Sequence, residues 1–163
     1  MSRKYFNVPV VWYSPAGERV VFDSKLEFRC FEALRLWMLQ VREIHGITCE
    51  LERQVPILIK QRSSNYPEMY WKADFVLFNH HKEVLAIVEA KGFPTDKFKS
   101  NLWFLDLENP CLFNRTIIVG TNEAKIDRAV KMIPFDRLLS ALNDLIIGGE
   151  LGQLLIKQEK QHG

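Results

Sequence analysis

The residues of this chain best suited to chemistry are Asp74, in the segment Lys72-Ala73-Asp74-Phe75, and the segment Glu89-Ala90-Lys91. Carboxylate oxygens are the ligands that Mg²⁺ prefers, and a lysine is a compact cation whose pKa changes readily with its surroundings. Two carboxylates that hold a divalent metal, with a lysine beside them, can bring a water molecule against a phosphodiester. The chemistry that these residue types permit is therefore phosphodiester hydrolysis.

The pattern of strands predicts that the two carboxylates lie close together. Val84 to Val88 is a continuous apolar run, which is typical of a central strand buried on both faces, and Glu89 follows it directly. The segment Met69 to Phe78 has the composition of a second strand, and a turn at 79–82 separates the two. If the strands are antiparallel neighbours, Asp74 near the end of one lies beside Glu89 near the end of the other.

Glu89 and Lys91 are two residues apart, so in an extended strand their side chains point to the same face. Lys91 would then lie beside the metal, where it orients or deprotonates the attacking water or stabilises the charged phosphate. The backbone carbonyl of Ala90 is a further candidate ligand. The alternative is a solvated surface on which Asp74 and Glu89 pair with Lys72 and Lys91, because charged residues are mostly exposed.

Glu27 has two possible roles. In Asp23-Ser24-Lys25-Leu26-Glu27 its spacing from Ser24 is that of a capping box, in which the glutamate bonds back to the Ser24 amide. Glu27 also shares one helical face with Phe31 and Leu34, so it heads the core-facing side of the predicted helix and can reach the metal site. Both roles stay open on the sequence alone.

Several polar residues are candidates for contacts to the phosphates of a nucleic acid. Gln54 precedes Pro56 by two residues, so it is either an ordinary polar residue on an edge strand or a residue near the site that touches the phosphate or a metal-bound water. Basic side chains that converge on one face would make binding depend on salt, although any single lysine is more often simply solvated. The candidates are Lys25, Gln54, Lys72, Lys97 and Lys99.

The order of the predicted elements favours an α/β fold with a central mixed sheet flanked by helices. An N-terminal hairpin comes first, then a helix, three strands, a helix, a strand and a helix. We expect a single domain over residues 1–163, with a core at about 22–120 and a C-terminal helical segment at about 134–160. The apolar stripe from Leu138 to Ile146 is explained equally well by core packing and by a dimer interface.

The composition fits this expectation. A chain of 163 residues with 47% hydrophobic residues can form one domain with a real core. No apolar run approaches the length of a membrane span and the N-terminal residues do not resemble a signal peptide, so a cytoplasmic location is expected. The net charge of +2 means that nucleic acid must be bound by local basic patches. Three widely spaced cysteines predict buried reduced thiols rather than a zinc site or disulfides.

At these residues the chain resembles the PD-(D/E)XK nuclease superfamily, over Phe22 to about Asn109. Asp74 occupies the first acidic position of the motif, Glu89-Ala90-Lys91 the second, and Ala73 replaces the usual proline. Within the superfamily the chain looks closest to small phage-associated proteins. It is also similar to phage junction-resolving endonucleases and to the endonuclease subunit of some cut-and-paste transposition systems.

The resemblance implies a DNA endonuclease that requires Mg²⁺, with Mn²⁺ able to substitute. It makes Asp74, Glu89 and the Ala90 carbonyl metal ligands, places Lys91 beside the attacking water, and makes Glu27 an additional ligand or water-holder. Small nucleases of this fold often dimerise, so a homo-oligomer, a dimer or higher, is expected. The resemblance does not name the DNA substrate, and branched DNA such as a Holliday junction is the first candidate. The alternatives are a site-specific endonuclease of the homing or restriction type, an RNA-cutting enzyme, and a non-catalytic DNA-binding protein of the same fold.

Overall fold

Six strands form a mixed sheet and two others form a hairpin in the computed structural model, which describes residues 7–121, 124–126 and 130–149. Four α-helices accompany them, the last of which continues as a π-helical turn. In chain order the elements are β1 (Val10–Tyr13), β2 (Arg19–Phe22), α1 (Lys25–His45), β3 (Glu50–Lys60), β4 (Met69–Phe78), β5 (Val84–Ala90), α2 (Asp96–Glu108), α3 (Pro110–Phe113), β6 (Thr116–Gly120), β7 (Ala124–Lys125), β8 (Lys131–Pro134), a 3-10 turn (Phe135–Arg137), α4 (Leu138–Leu142) and the π-helical turn (Asn143–Ile147).

The large sheet has the strand order β3-β4-β5-β6-β8-β7. β3, β4 and β5 are antiparallel neighbours, whereas β5, β6 and β8 run parallel and β7 is antiparallel to β8. The crossover that parallel neighbours require is supplied between β5 and β6 by α2 and α3. β3 is an edge strand, as Pro56 predicted. The prediction of an α/β fold with a mixed sheet, flanking helices and an N-terminal hairpin is confirmed.

Helix α1 has strong signals at both ends. The Ser24 hydroxyl accepts a hydrogen bond of 3.0 Å from the Glu27 amide, which caps the first turn. Gly46, with φ 70°, ends the helix in the left-handed conformation that glycine adopts without strain, and its amide donates to the Arg42 carbonyl. The apolar residues between these ends recur every three or four positions, so they form one buried face, consisting of Cys30, Leu34, Trp37 and Val41.

The sheet separates two hydrophobic cores. The first packs α1 and the C-terminal turns against the sheet, and its large members include Phe22, Trp37, Phe75 and Leu138. The second packs α2 against the sheet, and its large members include Trp71, Phe98, Leu102 and Leu105. β4 and β5 contribute side chains to both cores, which is why the continuous apolar run in β5 was typical of a central strand.

The C-terminal helix differs in detail from its prediction. It is regular only over Leu138–Leu142, because the Gly148 amide bonds to the Asn143 carbonyl and closes a π-helical turn. Leu138, Leu142 and Ile146 are buried, so core packing accounts for the apolar stripe. The predicted helical segment after residue 149 lies outside the described residues.

Some short elements carry no periodic signal and were missed, namely α3, β7 and β8. The prediction of buried cysteines holds for Cys30 and Cys49 and is wrong for Cys111, which is exposed because the four-residue helix α3 buries none of its side chains. None of the described helices combines the length and the apolar character that crossing a bilayer requires.

Candidate active site

Asp74 and Glu89 lie opposite each other where the pairing between β4 and β5 ends. The ladder runs as far as Phe75 and Val88, and Asp74 with Glu89 is the next pair in this register. Here carboxylates act as acceptors for backbone amides: Asp74 N–H donates to Glu89 Oε2 at 3.1 Å, and Ala90 N–H donates to Asp74 Oδ2 at 2.9 Å. Asp74 therefore lies at the end of this pairing but in the middle of β4, not near the end of the strand as the sequence predicted.

Lys91 is the cation that contacts this pair. Its Nζ lies 3.3 Å from Glu89 Oε1, so the two side chains meet on one face, as their spacing predicted. The ammonium also lies 4.7 Å from the centre of the Phe98 ring at the start of α2. The Lys91 side chain is 30% exposed whereas that of Glu89 is 4% exposed, so the lysine connects the buried carboxylate to the open surface.

Burial raises the pKa of both carboxyls. For Glu89 the largest cause is removal from water, followed by the negative charge of Asp74, and the Lys91 ammonium opposes both. For Asp74 removal from water is again the largest cause of the raised pKa, and the hydrogen bond from the Ala90 amide is the largest opposing one. Two ionised carboxylates in these buried positions therefore destabilise the folded protein unless a cation binds to them.

The face that β4 presents to each core changes at Asp74. Ala73 packs in the core beneath α2, whereas Phe75 packs in the core beneath α1, although strict alternation would place both on one face. Val76 returns to the core beneath α2. Asp74 therefore lies where the alternation of side chains between the two cores is interrupted. Its own side chain belongs to neither core.

The facing strand β3 makes the same change at Gln54, the residue opposite Asp74 in the register of the two strands. Arg53 lies against the Phe22 ring on the α1 side, with 4.0 Å between the guanidinium carbon and the ring centre, whereas Val55 packs against the core beneath α2. Gln54 itself has φ 55°, and its side-chain amide donates to Asp74 Oδ1 at 3.3 Å. The Gln54 side chain thus contacts a carboxylate of the site.

Glu27 reaches the neighbourhood of the site, but its carboxylate is engaged elsewhere. Oε2 accepts a hydrogen bond of 2.7 Å from the Asp23 amide, one residue before the expected partner Ser24. Oε1 forms an ion pair of 3.1 Å with Arg53. The residue is 3% exposed, and its charge contributes to the raised pKa of Asp74. Glu27 therefore closes the capping turn through Asp23 rather than Ser24 and also lines the cleft, whereas its role at a metal stays a prediction.

Arg53 was missed by the sequence interpretation. A single arginine in a strand carries no pattern that distinguishes a solvated side chain from one buried against a helix. The ion pair can be recognised only once the strand and the helix are packed together.

A cleft of about 510 Å³ connects these groups to the surface. Its lining joins the N-terminal end of α1 to the middle of β4 and the end of β5, and exposed Phe93 lies beside Gly92 on the β5 side. Of the five candidates for contacts to phosphate, Lys25 lines this cleft. The other four, Gln54, Lys72, Lys97 and Lys99, are not among the described residues that line it, and Lys99 instead lies 3.6 Å from Asp96. The predicted site residues that share the cleft are Lys25, Glu27, Asp74, Glu89, Ala90 and Lys91.

The donor atoms of Asp74 and Glu89 fit a hard divalent cation such as Mg²⁺. Within residues 7–121, 124–126 and 130–149, no three side chains of His, Cys, Asp or Glu are grouped closely enough to hold a metal ion by themselves. A two-carboxylate site still suits Mg²⁺, because this ion keeps several waters and commonly binds through one or two carboxylates together with substrate phosphates. Such an ion would also balance the buried negative charge.

The chain was compared with models of protein families, with curated proteins and with solved structures, and none of them matches it.

Proposed function

We propose that this protein is a metal-dependent DNA endonuclease that hydrolyses phosphodiester bonds. The observation that carries the proposal is the pair of buried carboxylates, Asp74 and Glu89, set opposite each other in a cleft with Lys91 between Glu89 and solvent. This combination is also the part of the chain that resembles the PD-(D/E)XK superfamily. A surface ion pair would not require two carboxyl groups to be removed from water together.

Asp74 and Glu89 would hold the Mg²⁺ ion, with the Ala90 carbonyl as a further ligand. When bound, the ion supplies Lewis-acid activation of water and neutralises charge on the phosphate. Asp74 and Glu89 are held rigidly for this task because each accepts a hydrogen bond from a backbone amide.

Lys91 would orient the attacking water through its Nζ and stabilise the charged phosphate. Its contact with Glu89 holds the ammonium beside the buried carboxylate, while its partial exposure leaves donor positions open toward solvent. Glu27 would act on the opposite wall, where its ion pair with Arg53 fixes the first turn of α1 against the sheet. In that role Glu27 positions the cleft rather than binding the metal.

DNA would enter over the N-terminal end of α1 and the loop that precedes α2. Lys25 lies in the cleft wall, and Lys97 is exposed in the first turn of α2, so both can meet a phosphate backbone. Lys72 and Lys99 would extend this contact. We infer that the protein acts as a homodimer, because two copies of one active site are needed to cut both strands of a duplex or of a junction.

Cleavage of labelled DNA tests this proposal directly. The substrates are a four-way junction, linear duplex, single strand, supercoiled plasmid and a matching RNA, each with Mg²⁺, Mn²⁺ or EDTA. We expect cutting with either metal and none in EDTA, and the preferred substrate distinguishes junction resolution from site-specific or RNA cleavage.

Two variants provide the matched comparison. Lys91→Ala should lose cleavage, whereas Lys82→Ala should retain it, because Lys82 pairs with Glu50 and Glu52 at the opposite end of the β4–β5 hairpin. DNA binding that is indifferent to metal, with no cutting of any substrate, would instead support a non-catalytic DNA-binding protein.

A further inference from the structure

Gln54 adopts a backbone conformation that its side chain makes unfavourable. Its φ of 55° lies in the left-handed region, where a residue with a Cβ crowds its own carbonyl and glycine is preferred. Strained residues of this kind persist when their surroundings hold them and are concentrated at functional sites. The chain therefore accepts strain here although a glycine would adopt the same backbone shape without it.

The side chain accounts for the use of glutamine at this position. Gln54 lies opposite Asp74, and its amide donates to Asp74 Oδ1 at 3.3 Å. The other oxygen, Oδ2, accepts from the Ala90 amide at 2.9 Å. With a donor on each oxygen, the plane of the Asp74 carboxylate is fixed. Outer partners of this kind orient the carboxylates that bind metals.

We propose that Gln54 is a positioning residue, which orients the Asp74 carboxylate for metal binding rather than contacting DNA. The inference rests on the proposed function, since it assigns Asp74 the role of a metal ligand. The left-handed backbone turns the Gln54 side chain toward Asp74, and the amide fixes the carboxylate. The effect of the backbone conformation and the effect of the amide contact can be distinguished with three substitutions.

The variants are Gln54→Gly, Gln54→Ala and Gln54→Glu. Glycine keeps the backbone conformation and removes the amide, alanine removes the amide and keeps the strain, and glutamate keeps the shape but has no amide donor. All three should lose about 10- to 100-fold in kcat or in Mn²⁺ affinity, the range typical of outer partners of metal ligands. The KM for DNA should stay within about 2-fold of wild type, because binding of the substrate is not affected.

Thermal denaturation in EDTA provides a readout that does not depend on activity. Gln54→Gly should melt about 2–4 °C above Gln54→Ala, because glycine relieves the left-handed strain.

Mn²⁺ affinity is measured by titration calorimetry on the same proteins. Gln61→Ala is the matched control, since Gln61 is exposed just beyond the end of β3 and should change none of these quantities.

Three results would overturn the inference. Full kcat and Mn²⁺ affinity in Gln54→Gly would show that only the backbone shape matters. Full activity in Gln54→Glu would show that only the size of the side chain matters. A raised KM with unchanged kcat would make Gln54 a DNA contact. Failure of the wild-type protein to cut any substrate would reject the proposed function, whereas the Mn²⁺ titration would still test whether Gln54 orients Asp74.

Discussion

The backbone amide of Asp74 donates a hydrogen bond of 3.1 Å to the Glu89 carboxylate, so the main chain holds together two acidic residues whose negative charges repel each other. Neither carboxylate can move independently, because the Asp74 side chain is held in turn by the amide of Ala90. The site is therefore an extension of the β4–β5 pairing in which side-chain oxygens serve as acceptors. Its properties should follow the ionisation of these two groups.

The stability of the metal-free protein should decrease as pH rises from 5 to 8. The folded-state pKa values of Asp74 and Glu89 lie above those of the unfolded chain, chiefly because of burial. Above the unfolded values near 4, the folded protein binds more protons than the unfolded chain, so deprotonation of these two groups removes stability across this window. Urea denaturation in EDTA at several pH values measures the change.

Asp74→Asn is the matched variant for this prediction. The asparagine can keep the bond from the Ala90 amide, and the Gln54 amide can rotate to accept from its nitrogen. The variant should show a flatter dependence of stability on pH than the wild type. An unchanged slope would mean that Asp74 does not contribute to it.

Mg²⁺ or Mn²⁺ should stabilise the folded protein, and more strongly at pH 8 than at pH 5.5. A cation bound by Asp74 and Glu89 requires both to be ionised, and binding to the folded state alone adds about 2.7 kcal/mol when the metal is at 100 times its Kd. Thermal denaturation with and without metal measures this difference. The increase should be absent in Asp74→Asn, and an equal increase in that variant would place the metal elsewhere.

Lys91→Met should reduce the rate of DNA cleavage by about 10²–10⁴, the range typical of a group that handles a proton in the reaction. The methionine retains apolar contact with Phe98 but removes the ammonium that faces Glu89. The loss should appear in kcat under saturating Mg²⁺. Circular dichroism serves as the control for folding, and cleavage within a few-fold of wild type would remove Lys91 from the mechanism.

Glu27→Ala should destabilise the protein by about 3 kcal/mol, because removing one partner leaves the charge of Arg53 without its counter-ion. The substitution also removes the acceptor for the Asp23 amide. Glu32→Ala, on the exposed face of the same helix, should change stability by less than about 0.5 kcal/mol. Chemical denaturation compares the two, and equal effects would contradict the structural importance of the Glu27–Arg53 pair.

Local signals explain what the sequence predicted well. The cap at Ser24 and the apolar run in β5 act over a few residues, so the start of α1 and the central position of β5 were accessible. The proximity of Asp74 and Glu89 followed from one tight turn between two strands.

The conformation of Gln54 and its ion-pairing neighbour Arg53 were not accessible in this way. Period-two alternation assigns Ala73 and Phe75 to one face, and nothing local marks the change at Asp74. That change occurs at facing positions of two paired strands, and the partner of Arg53 lies on the preceding helix α1. Such features depend on contacts between distant segments.

The side chains of β3 and β4 switch faces at facing positions, and the number of residues in each strand explains this. If Gln54 and Asp74 were both deleted, the remaining residues would alternate regularly between the two cores, and the register of the strands would still match on either side. Each strand therefore carries one residue more than a regular sheet requires, at facing positions. The double deletion is expected to preserve the hydrophobic pattern while removing one carboxylate of the site and the side chain that contacts it, so this part of the candidate active site is, in terms of length, a matched insertion into an otherwise ordinary pair of strands.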